Sequence, residues 1–519
     1  MLSNLSLRSI VHGFDPRMLR CSSSLVRKKV SVRFIRPISN SFNDPDLFRT
    51  RAFINGEWIE KTESFEVINP STQEVIGQIS SCGKEDYQFA VKSAKEAFQR
   101  YRYTTPGERS QILYNIYELT CTNREDLARL VTLETGKPYH NSLGEVDYTA
   151  STFKWFAEEA NRIYGSLLSA TSSIDRQMFH IKRPLGVVGI MTSWNSPSAM
   201  VARKLAPALA AGNACIIRPA HETPLSALAL CWLCEQAGLP AGVCNILPTK
   251  TSKEVGRYLC ESSQVKKLFY SGTPDLGKLL LKLCASECET IKKFSMELGG
   301  NAPFIVMEDA EIDRALDGII DFKFGQYAQT CANRIFVQEK IYDIFATRLA
   351  ERIEEVFHLG DGFDQGVTHG PLINTHTVEQ VSALVGKAKQ SGARVLTGGS
   401  RASALGPLFY RPTILADVDA SMEIFHKQLF GPVASLIKFK DTSDVFRMAN
   451  NVESAPAGFL YTNNIKKAYL VATELKAGMI GINTCEISNS AISSAGTGQG
   501  VAKFGIEEYT ETKSIVLEP

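Results

Sequence analysis

From about residue 50, apolar positions along the chain alternate between short continuous runs and runs spaced at three and four residues, which predicts strands alternating with helices. AFINGEWIE and FEVINPSTQEVIGQI place turn residues between short apolar runs, and KEDYQFAVKSAKEAFQRY follows with helical spacing. RPLGVVGIMTSW reads as a buried strand entering a loop, VARKLAPALAAG as a helix, ACIIRP as a strand and TPLSALALCWLCEQAG as a second helix. Strand, helix and strand in that order predict a parallel sheet with right-handed crossovers, and hence an α/β fold. VKKLFYSGTPDLGKLLLKLCAS repeats the unit, with Gly272 and Gly277 bracketing a helix start. That G-x-x-x-x-G reads either as a phosphate-binding helix N-terminus or as a plain turn, since it lacks the Lys-Ser/Thr of a P-loop. A second α/β segment begins near MELGGNAPFIV, and EDAEIDRALDGIIDFKFGQYAQT follows as a helix with acids in its first turn. No internal repeat is visible.

Composition narrows the function. The chain has 519 residues, enough for two or three domains, with 57 basic and 55 acidic residues and a net charge of +2. That balance offers no extended basic surface for nucleic acid, and no apolar run approaches the roughly 20 residues of a membrane span, so a small-molecule substrate is expected. The first forty residues break the balance. Arg8, Arg17, Arg20, Arg27, Lys28, Lys29, Arg33 and Arg36 stand against the single acid Asp15 in a serine-rich stretch, a composition that suits a mitochondrial transit peptide. The twelve cysteines lack metal-ligand spacing, and Cys231-x-x-Cys234 falls within a helical apolar pattern that predicts core packing. No metal is expected. Cys331, in QTC, reads either as a nucleophile or as another buried thiol.

TSWNSPSAMVARKLAPALAAGNACIIRPAHETPLSAL, FSMELGGNAPFIV, QTC, LFGPV and GIEEYTETK, in this order, resemble successive signature segments of the aldehyde dehydrogenase superfamily, nearest the succinic semialdehyde dehydrogenase branch. The resemblance runs from about residue 50 to the end. It implies a Rossmann-type cofactor domain over 50–295, including a bridging strand at 176–184, and an α/β catalytic domain over 296–480. A C-terminal substrate loop and oligomerisation strand over 481–519 would complete the fold, after a transit peptide at 1–40. It implies oxidation of an aldehyde with NAD or NADP in a mitochondrial homo-oligomer. Cys331 matches the family nucleophile, and Glu297, 34 residues earlier, matches its base. Asn195 matches the donor to the oxyanion, a role in which one hydrogen bond typically contributes about 2.7–4 kcal/mol. Trp194, Arg218, His221, Gly272, Thr273, Gly277, Gln428 and Phe430 fall on cofactor positions, and Arg203 on one arginine that grips a distal carboxylate.

Several positions depart from the family pattern. Gln428 replaces a ribose-binding Glu. Arg218 and His221 replace a Lys and an acid, which removes a repulsion against a ribose 2′-phosphate and leaves NAD and NADP both open. Gly325 stands where a second substrate arginine is usual, Ala328 where the family has Gly, a Val-Cys pair after the nucleophile is absent, and the C-terminal loop is short. Two functions follow as expectations: oxidation of a small acidic aldehyde, foremost succinic semialdehyde, or a catalytically weak family member with a structural role in an oligomer.

Overall fold

The computed structural model describes residues 42–169, 176–324, 332–452, 455–487 and 505–518. The expected transit peptide, Gly325, Ala328, Cys331 and most of the C-terminal substrate loop lie outside the described residues.

Two seven-stranded sheets organise the chain. In the first, five parallel strands run in the order Lys293–Leu298, Val265–Gly272, Val187–Met191, Ala214–Arg218 and Cys244–Ile246. The antiparallel hairpin Ala52–Ile54/Glu57–Ile59 closes the Cys244 edge. That hairpin turns on Asn55 and Gly56, with φ of 54° and 84°, as a two-residue turn between right-twisted strands requires. A side chain at Gly56 would also meet the Cβ of Ala241 at 2.8 Å. The central strands are buried along their length because helices cover both faces.

One covering helix, Leu225–Gln236, is apolar nearly all round and carries Cys231 and Cys234 into the core. The Cys231 thiol lies 3.8 Å from that of Cys244, so the C-x-x-C spacing is a packing feature here. Among the described residues no cluster of side chains is suited to a metal. The buried Glu134 carboxylate accepts from the backbone N–H groups of Leu225 and Ser226, at 2.8 and 3.0 Å, at the start of this helix.

The chain leaves the first sheet at Leu298 and enters the second at Ala302, so Gly299, Gly300 and Asn301 form the passage between them. The second sheet has the order Arg394–Thr397, Thr413–Ala416, Val433–Phe439, Ala332–Gln338, Ala302–Val306, Ala457–Tyr461 and Met479–Ile482. All its neighbours are parallel except the first pair. Of the helix expected through QYAQT, Ile312–Ile319 is α-helical and Ile320–Phe324 widens to a π-helical turn, while QYAQT itself lies outside the described residues.

A third sheet has three antiparallel strands, with Gln177–Pro184 between Ser166–Ser169 and Thr510–Leu517. The last strand is anchored just before it begins. Glu508 meets the fully buried Lys267 ammonium at 2.9 Å and Ser295 Oγ at 3.0 Å. The Asn213 amide donates to Tyr509 O at 3.0 Å.

Candidate active site

Parallel pairing brings the carboxyl ends of four strands to one edge: Met191 lies opposite Arg218 and Tyr270, and Ser271 opposite Glu297. Open α/β sheets bind ligands at such an edge. The loop Thr192–Ser196, the turn after Gly272 and the passage after Glu297 all leave from it.

Glu297 is buried and faces the helix Pro197–Ala210, every residue of which is buried. Two consecutive cations on that helix meet it. Arg203 Nη2 lies 3.1 Å from Glu297 Oε1, and the Lys204 ammonium donates to the same oxygen. Burial pushes the Glu297 carboxyl up, but Arg203 and Lys204 more than offset this and hold it below the usual range. Burial pushes Lys204 down to about 8, against the pull of Glu297, and its ammonium also sits 4.0 Å from the centre of the Phe269 ring. Glu297 Oε2 is buried with no hydrogen-bond partner among the described residues. The site therefore holds an ionised carboxylate with one oxygen bonded and the other without a donor among the described residues, an arrangement suited to accepting a proton from water.

Asn195 is also buried. Its side-chain oxygen accepts from Ser193 Oγ at 2.7 Å, and its backbone carbonyl accepts from Lys137 Nζ at 3.0 Å. Beside it the Trp194 ring packs edge-on against Phe430, with centroids 6.1 Å apart. Gln428 lies directly on Gly299, where a Cβ would overlap its amide. Gln428, Phe430, Trp194, Asn195 and Glu297 are thus linked in one neighbourhood through the passage after Glu297 and the loop after Met191.

The remaining expected positions form a second group along the same edge. Arg218 Nη2 donates to Ser252 Oγ at 2.6 Å, while its buried Nε has no hydrogen-bond partner among the described residues. An orphaned guanidinium N–H and the exposed Thr273 at the start of the helix Pro274–Ser286 fit a nucleotide bearing phosphates. His221 is solvent-exposed and lies 3.2 Å from the Glu222 carboxylate. Gly272 and Gly277 have separate packing roles. A Cβ at Gly272 would overlap the Tyr270 hydroxyl, and one at Gly277 would meet Leu298 Cδ2 at 2.7 Å. The second glycine lets the helix lie close on the Glu297 strand.

Arg203 is brought to Glu297, so the residue expected to grip a distal carboxylate on the substrate touches a carboxylate of the protein itself. Four residues at the site went unread in the sequence: Lys204, Ser193, Ser271 and Lys137. Lys204 had a signal, because an adjacent Arg-Lys pair in an otherwise apolar helix demands buried counter-charge. The others carry none, since their partners are separated from them in sequence or drawn from a common serine-rich vocabulary.

A family model described as Aldehyde dehydrogenase family matches residues 58–515. The chain is 42% identical over 484 residues to the NADP-dependent succinate-semialdehyde dehydrogenase of Escherichia coli, an alignment covering 92% of this chain and 99% of that one. It is 40% identical over 478 residues to the mitochondrial succinate-semialdehyde dehydrogenase of Homo sapiens, covering 90% and 88%. Among solved structures, an Escherichia coli NADP-dependent enzyme superimposes with a TM-score of 0.89 at 40% identity, over 92% of this chain and all of its own. A family match of this length, with a fold that superimposes at a TM-score of 0.89, leads to one assignment: the chain belongs to the aldehyde dehydrogenase family of NAD- or NADP-dependent oxidoreductases.

Proposed function

We propose that this protein oxidises a small acidic aldehyde, succinic semialdehyde foremost, to the corresponding acid. The observation that carries the reading is the buried Glu297, held ionised by Arg203 and Lys204 with Oε2 lacking a donor among the described residues. The Cys331 thiolate attacks the aldehyde carbon, and the Asn195 amide donates to the oxygen that becomes negative. The nicotinamide cofactor, when bound, supplies the hydride acceptor. Cys331 is then left as a thioester, and Glu297 takes a proton from the water that hydrolyses it. Trp194, Phe430 and Gln428 border the nicotinamide end, and Arg218 with Thr273 serves the phosphates. The substrate class follows from relatives named for succinic semialdehyde and from Arg203, whose guanidinium can bridge Glu297 and a substrate carboxylate.

The basic segment before residue 41 and the mitochondrial relatives support a mitochondrial location and an N-terminal transit peptide. The paired strands Gln177–Pro184 and Thr510–Leu517 form an outlying sheet suited to joining subunits of a homo-oligomer. We read the cofactor domain over 50–295 and the catalytic domain over 296–480, a boundary that falls within the strand Lys293–Leu298 of the first sheet, which contributes Glu297.

The purified protein, given succinic semialdehyde with NAD or NADP in turn, is expected to generate reduced cofactor and succinate. Oxidation of uncharged aldehydes alone would overturn the acidic substrate. Failure with acidic and uncharged aldehydes alike would favour the second reading, a weak family member acting in an assembly, to which Gln428 at a cofactor position and the Arg203–Glu297 pair lend support.

A further inference from the structure

An amide donor is useful to a developing oxyanion only if its N–H groups, and not its oxygen, face the reacting carbonyl, and only if it is held still. Asn195 sits in a loop, and its amide has two orientations of similar shape. Two contacts oppose that freedom, one at each end of the residue.

The first is a hydroxyl chain. Ser271 Oγ lies 3.0 Å from Ser193 Oγ, and Ser193 Oγ donates to Asn195 Oδ1 at 2.7 Å. With the Ser193 proton directed to Asn195, Ser193 Oγ is left as the acceptor toward Ser271, whose own hydroxyl also lies 4.0 Å from Met200 Sδ. Ser271 sits on the strand beside Glu297. In this arrangement the amide oxygen faces Ser193, and both amide N–H groups are turned to the other side.

The second contact holds the backbone. Lys137 Nζ donates to Asn195 O at 3.0 Å and to Glu145 Oε2 at 2.6 Å. Glu145 Oε1 in turn accepts from the N–H groups of Ser198 and Ala199, at 2.9 and 3.3 Å, which begin the helix after the loop. Lys137 is itself anchored from the other sheet's side of the molecule. The Tyr139 N–H donates to Gly362 O at 2.9 Å, and a Cβ at Gly362 or Gly370 would overlap the carbonyl of Lys137 or Gly136. Only glycine permits that approach.

We propose that Ser193 and Lys137 are positioning residues that together aim the Asn195 amide at the oxygen of the reacting carbonyl, an inference that rests on reading Asn195 as the donor to that oxygen. Neither residue needs to touch the substrate. Losing Ser193 frees the amide to rotate, whereas losing Lys137 releases the loop.

The test compares Asn195→Ala, Ser193→Ala, Ser193→Thr, Lys137→Met and the double variant Ser193→Ala/Asn195→Ala in the full-length protein. Turnover and KM would be measured with succinic semialdehyde, the cofactor dissociation constant by quenching of tryptophan fluorescence, and folding by thermal melting. Ser193→Ala is expected to lower kcat about tenfold, the effect of one hydrogen bond, with KM, cofactor binding and melting unchanged. Ser193→Thr should restore most of the rate, and the double variant should be no slower than Asn195→Ala. Lys137→Met should lower kcat further and also melt earlier, because Glu145 loses its counter-ion. Wild-type kcat in Ser193→Ala, beside a slow Asn195→Ala, would overturn the positioning role alone. Wild-type kcat in Asn195→Ala would remove the donor role itself and the inference with it.

Discussion

Cys331, Glu297 and Lys204 carry separable consequences. Cys331→Ala should abolish turnover while cofactor still binds, because in the proposed reaction the thiolate forms the bond on which every later step depends. Measurable aldehyde oxidation by that variant would show that another group attacks. Glu297→Gln keeps the shape of the base but cannot take a proton, so mixing with aldehyde and cofactor should give one equivalent of reduced cofactor and then little more. Steady turnover without such a burst would place water activation elsewhere. Lys204 adds a pH dependence. While protonated it joins Arg203 in holding Glu297 below its ordinary range, and as it loses its proton near its value of about 8 its share of that hold weakens and the carboxylate becomes a stronger base. The hydrolytic step should therefore rise with pH through about 8. Lys204→Met should flatten that rise, and an identical profile in the variant would remove Lys204 from the explanation. Glu297 and Asn195 were legible because they sit in short motifs with fixed spacing. Arg203 was legible as a residue but not in its contact, because its pairing with Glu297 spans 94 positions and no local pattern encodes it.

Among the elements, the helix Leu225–Gln236 shows how a buried end is managed. Its start accepts a carboxylate from a different helix, Glu134 of Arg124–Thr135, and burial pushes that group up to about 8, with the bonds from Leu225 and Ser226 acting in the opposite direction. A carboxyl whose folded value exceeds its unfolded one stabilises most below the unfolded value, and that contribution declines as pH rises to the folded value. Stability from this group should thus fall between about 4.5 and 8. Glu134→Gln, neutral throughout, should remove that slope, whereas Glu134→Ala should cost about 1–3 kcal/mol by leaving two buried N–H groups unpaired. Denaturant melts at several pH values would read both, and an unchanged slope in the glutamine variant would show that Glu134 titrates normally. The helix itself was plain in its apolar spacing, and the first hairpin in Asn55-Gly56. Less visible was the early end of the helix Ile312–Ile319. Its polar and apolar positions continue the pattern through Phe324, but the backbone there widens to a π-helical turn, and local periodicity does not distinguish the two.

For the whole molecule, alternation of strand and helix was enough to predict parallel sheets, while their order and the place where one gives way to the other depended on tertiary contact. The passage at Gly299–Asn301 is fixed by such contacts. Arg334 is fully buried and donates to Asn301 O at 2.8 Å and to Ala449 O at 2.8 Å, while Asn301 Nδ2 donates to Phe425 O at 2.7 Å. At the far end, Glu508 is the acid that meets the buried Lys267. Glu508→Gln should destabilise the protein by about 1–2 kcal/mol, reduced from a fully buried pair because Glu508 is partly exposed. A melt at neutral pH would measure it, and no loss would mean that the other partners of the Lys267 ammonium, Ser295 Oγ at 2.5 Å and the Tyr509 ring with its centre at 5.2 Å, suffice for it.

That last ion pair joins positions 241 residues apart, which gives it a meaning in time as well as in space. A chain emerging from a ribosome presents Lys267 long before Glu508 has followed. Until then, the strand that carries Lys267 into the first sheet must bury an ammonium without its counter-ion, and Asn213 has no Tyr509 carbonyl to meet. The cofactor-side sheet is thereby kept from its final stability until nearly the whole polypeptide is present.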